Sequence, residues 1–367
     1  MLCNILEVFN HLVRESLKDL VGAVRIWGVS EDPLSKLEGA AVVTQKDLSP
    51  RKPQDSYSEA VIPLGSDSVV RERYINLLKG LRFGRILEDL DTFAELTKGS
   101  LSVFKDIKMC GNVTWSGTSS MEITMNLHQE TSENQWEHML TATFLMVARN
   151  PVTKKSYPVN PLQLETEKDK KLFELGEQNK IKRQEEANKT LLRVPPSEEE
   201  RLVIHDIFLQ TIDPNLSTFK ARIKPVNSVW MEDTILKNLV TCFPEQRNLY
   251  SKIFGGFIMR KAFELAWANA SLYSNTRPYI KTIDDILFRK PVEIGSLLFL
   301  SSQVVYTKGS MLQLKVHAEV VGLDGSRAVT NDFHFTFDSK QDNLKRVIPQ
   351  TYAESMLYLD GKRHFES

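Results

Sequence analysis

Between residues 254 and 266, apolar side chains return every three or four positions: Phe254, Phe257, Ile258, Ala262, Leu265 and Ala266. That period predicts an amphipathic helix with one buried face. The helix follows directly on the pair Gly255-Gly256 and on a largely polar loop. Downstream the period falls to two. Leu312, Leu314, Val316 and Ala318 alternate with Gln313, Lys315, His317 and Glu319, as in a half-buried antiparallel strand. Strands are predicted over 296–307, 311–322 and 328–338, with hairpin turns at Lys308-Gly309 and at 323–325. A further strand with a turn occupies 277–295. One long helix followed by antiparallel strands is an α+β unit, the helix laid on the sheet.

The same order of elements comes earlier in the chain. A strand is predicted over 56–63, a helix over 69–96, and strands over 107–115, 119–128 and 136–149. Ala142–Met146 aligns with Phe333–Phe337, and Met121, Ile123 and Met125 align with Leu312, Leu314 and Val316. Both alignments give an offset of 191 residues (333 less 142, 314 less 123). At the helix start, Phe83-Gly84 aligns with Gly255-Gly256 at an offset of 172. A period this long, present twice, predicts a duplicated domain. The two offsets differ by 19 residues (191 less 172), so the first half is expected to lack the end of its helix and the strand after it. An exposed sheet edge would result. The boundaries read as a loose lead-in over 1–54, a shortened first domain over 55–160, a charged helical connector over 161–212, a second domain over 213–350 and a C-terminal tail over 351–367. Within the connector, the Pro-Ser-acidic run at 195–201 predicts a capped helix start.

With 47 basic and 47 acidic residues, the chain lacks the charge excess of a protein held on nucleic-acid phosphates. Cys3, Cys110 and Cys242 are too few and too scattered for a disulfide framework or a zinc site. The seven histidines show no i, i+3 or i, i+4 pair, so no metal site is expected. His334, between Phe333 and Phe335, reads as sheet surface. No apolar run reaches the length of a membrane span. Residues 1–24 carry a helical apolar repeat but mix acids with bases. They read either as an atypical targeting helix or as a helix that packs on the protein.

Glycines at a helix start allow close backbone approach. The unspent N–H groups and the positive helix end can polarise a carbonyl or hold an anion there. The plainer reading is that the glycines ease helix packing. Asn248, Phe254-Gly255-Gly256, the run Phe-Arg-Lys-Pro-Val-Glu-Ile-Gly at 288–295 and the C-terminal stretch 353–365 together favour the functional reading. In these motifs the chain resembles the mitochondrial acyl-coenzyme A thioesterases with two hotdog repeats, from residue 55 to the C-terminus.

The resemblance implies a tandem hotdog, each half a long helix packed on an antiparallel sheet. It implies hydrolysis of acyl-CoA thioesters to free fatty acid and coenzyme A without a cofactor. It also implies assembly into a homo-oligomer and a mitochondrial location. In such enzymes the catalytic acid stands eight residues after the first glycine. Asp91 holds that position in the first half, and Phe263 holds it in the second. The glycine pair and its asparagine are intact only in the second half. The resemblance therefore implies one composite site: Gly255, Gly256 and Asn248 from one half, Asp91 from the other. Asn76, at the first-half asparagine position, reads as an exposed polar residue. Asp91 would serve as general base or as nucleophile; the alternatives stay open. Arg289, Lys290 and Arg260 are the basic residues nearest the glycines for the phosphates of CoA. Two other readings stand beside this one. A catalytically impaired acyl-CoA-binding or regulatory module would keep the fold. A hotdog dehydratase would need a histidine near the glycines, and neither predicted helix has one there.

Overall fold

The computed structural model describes residues 44–76, 79–90, 95–96, 102–132, 135–150, 153, 155–213, 215, 222–247, 252–284, 286, 290–322 and 325–366. In chain order these form strand β1 (Ser58–Ile62), helices α1 (Ser68–Tyr74) and α2 (Phe83–Leu90), and strands β2 (Glu95–Leu96), β3 (Ile107–Ser116), β4 (Ser120–Ser132) and β5 (Gln135–Val147). Helices α3 (Glu167–Lys189) and α4 (Glu198–Leu209), strands β6 (Ser228–Trp230) and β7 (Leu236–Thr241), and helix α5 (Gly255–Ser274) come next. Strands β8 (Tyr279–Ile283), β9 (Leu297–Lys308), β10 (Met311–Val321), β11 (Arg327–Asp338) and β12 (Arg346–Ile348) lead to helix α6 (Tyr352–Glu366). Among these residues no helix is long and apolar enough to cross a membrane.

The described residues cluster into two compact units. One holds those up to Arg82, with Lys98–Glu177 and Phe243–Phe254; the other holds Phe83–Thr97, Gln178–Cys242 and Gly255–Ser367. Each unit therefore includes a segment from the other half of the sequence. Helix α2 belongs with the second sheet, and the loop before α5 belongs with the first.

In the second unit, β7, β9, β10, β11 and β8 lie side by side in that order, all antiparallel. Leu314 pairs with Phe335 and Val316 with Phe333, so the predicted alternation becomes one continuous apolar row. These four are fully buried. Helix α5 lies on this row. Phe257, Ile258, Met259, Ala262, Phe263, Leu265 and Ala266 are buried along it, each large side chain contributing roughly 1.5–3 kcal/mol. Asn269, also buried, donates to Thr234 O (2.9 Å) and Ser302 Oγ (3.1 Å), which satisfies its amide inside the core.

The opposite face of this sheet departs from the sequence expectation. His334 is 5% exposed, because α6 covers it. Its ring stacks on that of His364 at 3.8 Å between centroids, and neighbouring Lys315 pairs with Asp360 at 2.8 Å. Alternation distinguishes the two faces of a strand but does not say what covers the polar one. Gly361 lets α6 come close: a Cβ there would meet the side chain of Val305 at 2.5 Å.

In the first unit, β1, β3, β4 and β5 are antiparallel neighbours in the same connectivity as β7, β9, β10 and β11. Met121, Ile123 and Met125 are only half-buried. The matching row of the second sheet is covered by the twenty residues of α5. The helix predicted over 69–96 is broken into α1 and α2. Asn76 causes the break. Its Oδ1 accepts from Gly80 N (3.0 Å) and its Nδ2 donates to Leu81 O (3.1 Å), closing a turn in which Lys79 has φ +60. Strand β2 keeps two residues; residues 91–94 and 97–101, where the offsets locate the shortening, lie outside the described residues. The capped start of α4 is present: Ser197 Oγ accepts from Glu200 N, and Ser197 N donates to Glu200 Oε2 (2.9 Å).

Candidate active site

The chain enters α5 through a short loop closed on itself. Phe254 N donates to Gln246 O (2.8 Å), and Arg247 pairs with Ile253 in an isolated antiparallel bridge. The approach to α2 has the same closure. Arg82 N donates to Tyr74 O (2.6 Å), and Ile75 bridges Leu81. Every one of these four positions maps onto its counterpart at the offset of 172 read from the helix starts, which fall at Phe83 and Gly255. The repeat is thus conserved in backbone geometry as well as in pattern. Asn76, which organises the first loop, occupies the position of Asn248 in the second.

Helix α5 begins with Gly255, half-buried, and Gly256, buried. The first N–H groups of a helix have no partner within it and lie at its positive end. Helix α2 docks on α5 within the second unit. Gly84 makes the close approach: a Cβ there would meet Phe263 Cδ1 at 3.2 Å and Arg260 Cγ at 3.4 Å. Phe83 packs on Phe263 with centroids 5.6 Å apart, and Phe263 also meets Phe335 (5.7 Å) and Phe337 (5.9 Å). One turn further along α2, Glu88 is 6% exposed. Its Oε2 lies 2.7 Å from Arg85 Nη1 on its own helix and 3.0 Å from Arg260 Nε on α5. From Gly84 to Glu88 the facing residues on α5 run backwards, from 263 to 260, so the two helices are antiparallel.

Of the sequence-derived site residues, Gly255 and Gly256 form the first turn of α5 as expected. Lys290 is exposed on the loop before Val292. The Arg260 guanidinium is engaged with Glu88 and lies over the ring of Phe257 at 5.6 Å. Asp91, Asn248 and Arg289 lie outside the described residues. Glu88 reads in sequence as one of three acids on a solvated helix face, and its place in the helix pair goes unseen there. Two signals point to it: Arg85 three residues earlier, and Arg260 at its own position in the other repeat (260 less 88 is 172).

Neither the thiol of Cys242 nor the histidines compete for the chemistry. Cys242 is buried, and burial pushes its thiol up to about 11, out of reach of thiolate chemistry at neutral pH. His334, Asp360 and His364 bring ligand types together, their donor atoms within 4.8 Å of one another. The geometry suits a proton-sharing network better than an ion. Two imidazoles on one tetrahedral metal, bound at about 2.1 Å, hold their centroids roughly 5 Å apart, whereas these rings stack at 3.8 Å. The Lys315 ammonium already occupies the carboxylate of Asp360.

No protein-family model matches the chain. Curated relatives do. The chain is 44% identical to acyl-coenzyme A thioesterase 9, mitochondrial, of Mus musculus, across 97% of this chain and 88% of that protein. It is 43% identical to the Homo sapiens protein of the same name over the same shares. Acyl-coenzyme A thioesterase 2, chloroplastic, of Humulus lupulus is 29% identical over 86% of this chain and 82% of its own length. The mouse alignment runs over 392 positions, more than the 367 residues of this chain. At least 25 of those positions (392 less 367) therefore face no residue of this chain. Among solved structures, an acyl-CoA hydrolase from Staphylococcus aureus in complex with butyryl coenzyme A and coenzyme A is 20% identical, with a TM-score of 0.36 over 38% of this chain and 88% of that one. That likeness is too slight to carry an argument.

Proposed function

Because this chain belongs to the acyl-coenzyme A thioesterase 9 family, we propose that it hydrolyses acyl-CoA thioesters to free fatty acid and coenzyme A, at a composite site between the start of α5 and the end of α2. The observation that supports this is the contact of Gly84 and Phe83 with Phe263. Under the offset of 172, Gly84 corresponds to Gly256, Phe83 to Gly255, and Phe263 to Asp91. When two repeated helices pack antiparallel, equivalent positions are expected to make equivalent contacts. In this reading the equivalent contact sets Asp91 against Gly255 and Gly256. One copy of the site is plugged by two phenylalanines, and the other keeps the polar groups.

In this reading the thioester carbonyl sits at the α5 N-terminus. As water or the Asp91 carboxylate attacks the carbonyl carbon, the C=O electrons move onto oxygen, and the Gly256 N–H donates to that oxyanion. Collapse of the intermediate re-forms the carbonyl and breaks the C–S bond, and coenzyme A leaves as thiolate. On the water route Asp91 takes the proton of the attacking water. On the nucleophilic route a water then hydrolyses the acyl–Asp91 anhydride to free acid and the restored carboxylate. Asn248 orients the thioester from the loop ahead of Gly255. Lys290 and Arg289 take the phosphates of CoA. Arg260 is not retained in that role, since its guanidinium is engaged inside the helix pair. Along the sequence the two hotdog repeats run over 55–160 and 213–350 with the connector 161–212 between them, while α2 and the loop before α5 each cluster with the other repeat's unit. The name of the mouse and human relatives supports a mitochondrial location, and the protein works as a homo-oligomer.

The test is steady-state hydrolysis of a short- and a long-chain acyl-CoA by the wild type, Asp91→Asn and Asn248→Ala. Each variant should lose about a hundredfold or more in kcat with its melting temperature kept. Unchanged turnover in Asp91→Asn would remove it from the chemistry. The surplus positions of the relatives keep a second reading in view, an impaired acyl-CoA-binding protein. Saturable binding of acyl-CoA without turnover by the wild type would decide for that reading.

A further inference from the structure

Glu88 and Arg260 occupy the same position in the two repeats, 172 residues apart, and face each other across the antiparallel helix pair. Residues so placed meet their own counterparts. In a pair of identical repeats, like charges would confront one another there. Here the two positions hold opposite charges, so the contact forms only between α2 and α5 and never between two copies of either helix. The carboxylate is nearly enclosed, at 8% side-chain exposure, and Arg260 is at 12%. Arg85 holds the same Oε2 from one helical turn back. A buried ion pair of this kind tolerates little sliding, because a shift leaves a buried charge unpartnered.

We propose that the Glu88–Arg260 ion pair is a positioning device for catalysis: it fixes the axial register of α2 on α5 and so sets the acid of the first repeat against Gly256. This rests on the composite site proposed above. Glu88 stands three residues before Asp91 in the sequence, and Arg260 stands one turn after Gly256 on α5. The pair is therefore the nearest fixed point to both halves of the site. A slip of one residue displaces one helix along the other by about 1.5 Å. A misplacement of about 1 Å costs on the order of a hundredfold in rate. Neither Glu88 nor Arg260 touches substrate in this account; both act through the helices that carry the reacting groups. A phosphate-binding Arg260 would instead show itself in KM.

The experiment compares Glu88→Gln, Arg260→Gln and the exchanged double variant Glu88→Arg with Arg260→Glu. Two measurements are made on the intact protein. Hydrogen exchange of the peptide spanning α2 reports its docking without recourse to activity, and hydrolysis of acyl-CoA gives kcat and KM separately. Each single variant should speed exchange of α2 by about tenfold or more. Each should lower kcat between about tenfold and a hundredfold with KM within twofold. The exchanged variant should recover at least half of the lost kcat. Unchanged exchange in Glu88→Gln overturns the proposal whether or not the enzyme turns over. Faster exchange with kcat kept leaves the pair a stability element only, and also overturns it. A raised KM with kcat kept in Arg260→Gln returns Arg260 to substrate binding. Failure of the composite site itself has a different signature, which is full turnover in Asp91→Asn.

Discussion

Replacing Phe263 with alanine separates packing from chemistry at the plugged copy of the site. The ring is 6% exposed and meets three others, Phe83, Phe335 and Phe337, at centroid distances of 5.6, 5.7 and 5.9 Å. Deleting a buried phenyl ring costs about 3–5 kcal/mol, from lost transfer energy and the cavity left behind. The edge and tilted contacts add to that, at roughly 0.5–1.5 kcal/mol for a good pair. Collapse of the surroundings is restricted. Phe335 and Phe337 are held in register on β11 by β10 and β8. A loss near 4 kcal/mol in a unit of this size lowers the melting temperature by roughly 8–16 °C. Thermal unfolding followed by circular dichroism reads that shift, and acyl-CoA hydrolysis well below both midpoints reads the chemistry. Phe263→Ala should melt markedly earlier yet keep kcat and KM near wild type while folded. A shift below about 2 °C, far under that range, would show that the aromatic cluster does not carry the packing described. Loss of turnover with an unchanged melting temperature would refute the assignment of this copy as the inert one.

Two further outcomes test other parts of the architecture. A Cβ on Gly176 in α3 would press into Cβ and Cγ of Trp115, which is 1% exposed and donates from Nε1 to Glu177 at 2.8 Å. Gly176→Ala should therefore lower the melting temperature despite the roughly 1 kcal/mol that alanine gains over glycine in a helix; a rise would refute the close approach. Burial, together with the charges of His364 and Lys315, holds His334 well below the ordinary 6.5. Its contribution is complete above 6.5 and is lost as pH falls below that value. His317 behaves in the opposite sense. Its hydrogen bond with Asp332 raises it, with Glu319 adding to the effect, so its contribution is complete below 6.5 and lost as pH rises through the higher value. Melting temperatures across that range should show His334→Gln flattening the acid-side loss and His317→Gln costing most at the acid end. Parallel pH profiles for the wild type and both variants would refute the two shifts.

Much of this was legible in the sequence, and the parts that were not have identifiable causes. The period of α5, the strands β9 to β11 and the offsets of 172 and 191 arise from repeating contacts between near neighbours, which leave a periodic trace. The break between α1 and α2 depends on one side chain, Asn76, folding back on the next five residues. An asparagine within an apolar repeat does not announce whether it will do so. Glu88 looked solvated because its shield, α5, lies more than 160 residues further on (255 less 90 is 165). His334 looked solvated because α6, which covers it, reads in sequence as a tail. Its helix is amphipathic in a way that serves a polar face: Asp360 and His364 meet Lys315 and His334, while Tyr358 packs on Tyr306 at 5.2 Å. Hydrophobic patterning finds the surfaces that bury apolar groups. A sheet face buried through ion pairs and stacked imidazoles gives it little to detect.

The two repeats divide the labour between their helices. Helix α5 needs its twenty residues because it supplies a core face to a five-stranded sheet. Helix α2 has eight, and it meets α5 through Phe83, Gly84 and Glu88. Two turns, with one glycine for close approach and one carboxylate for register, are enough to dock one helix on the other. Beyond α2 comes a strand of two residues where the second repeat has five. The part of α2 that faces α5, residues 83–88, lies wholly within the described residues. A loss of strand length reduces buried area and paired backbone groups, which are terms of stability. A change within residues 83–88 would alter where the end of α2 points, which is a term of rate. The proposed role of the Glu88–Arg260 pair makes the two kinds of change separable by experiment, since it acts on α2 and not on the strand after it.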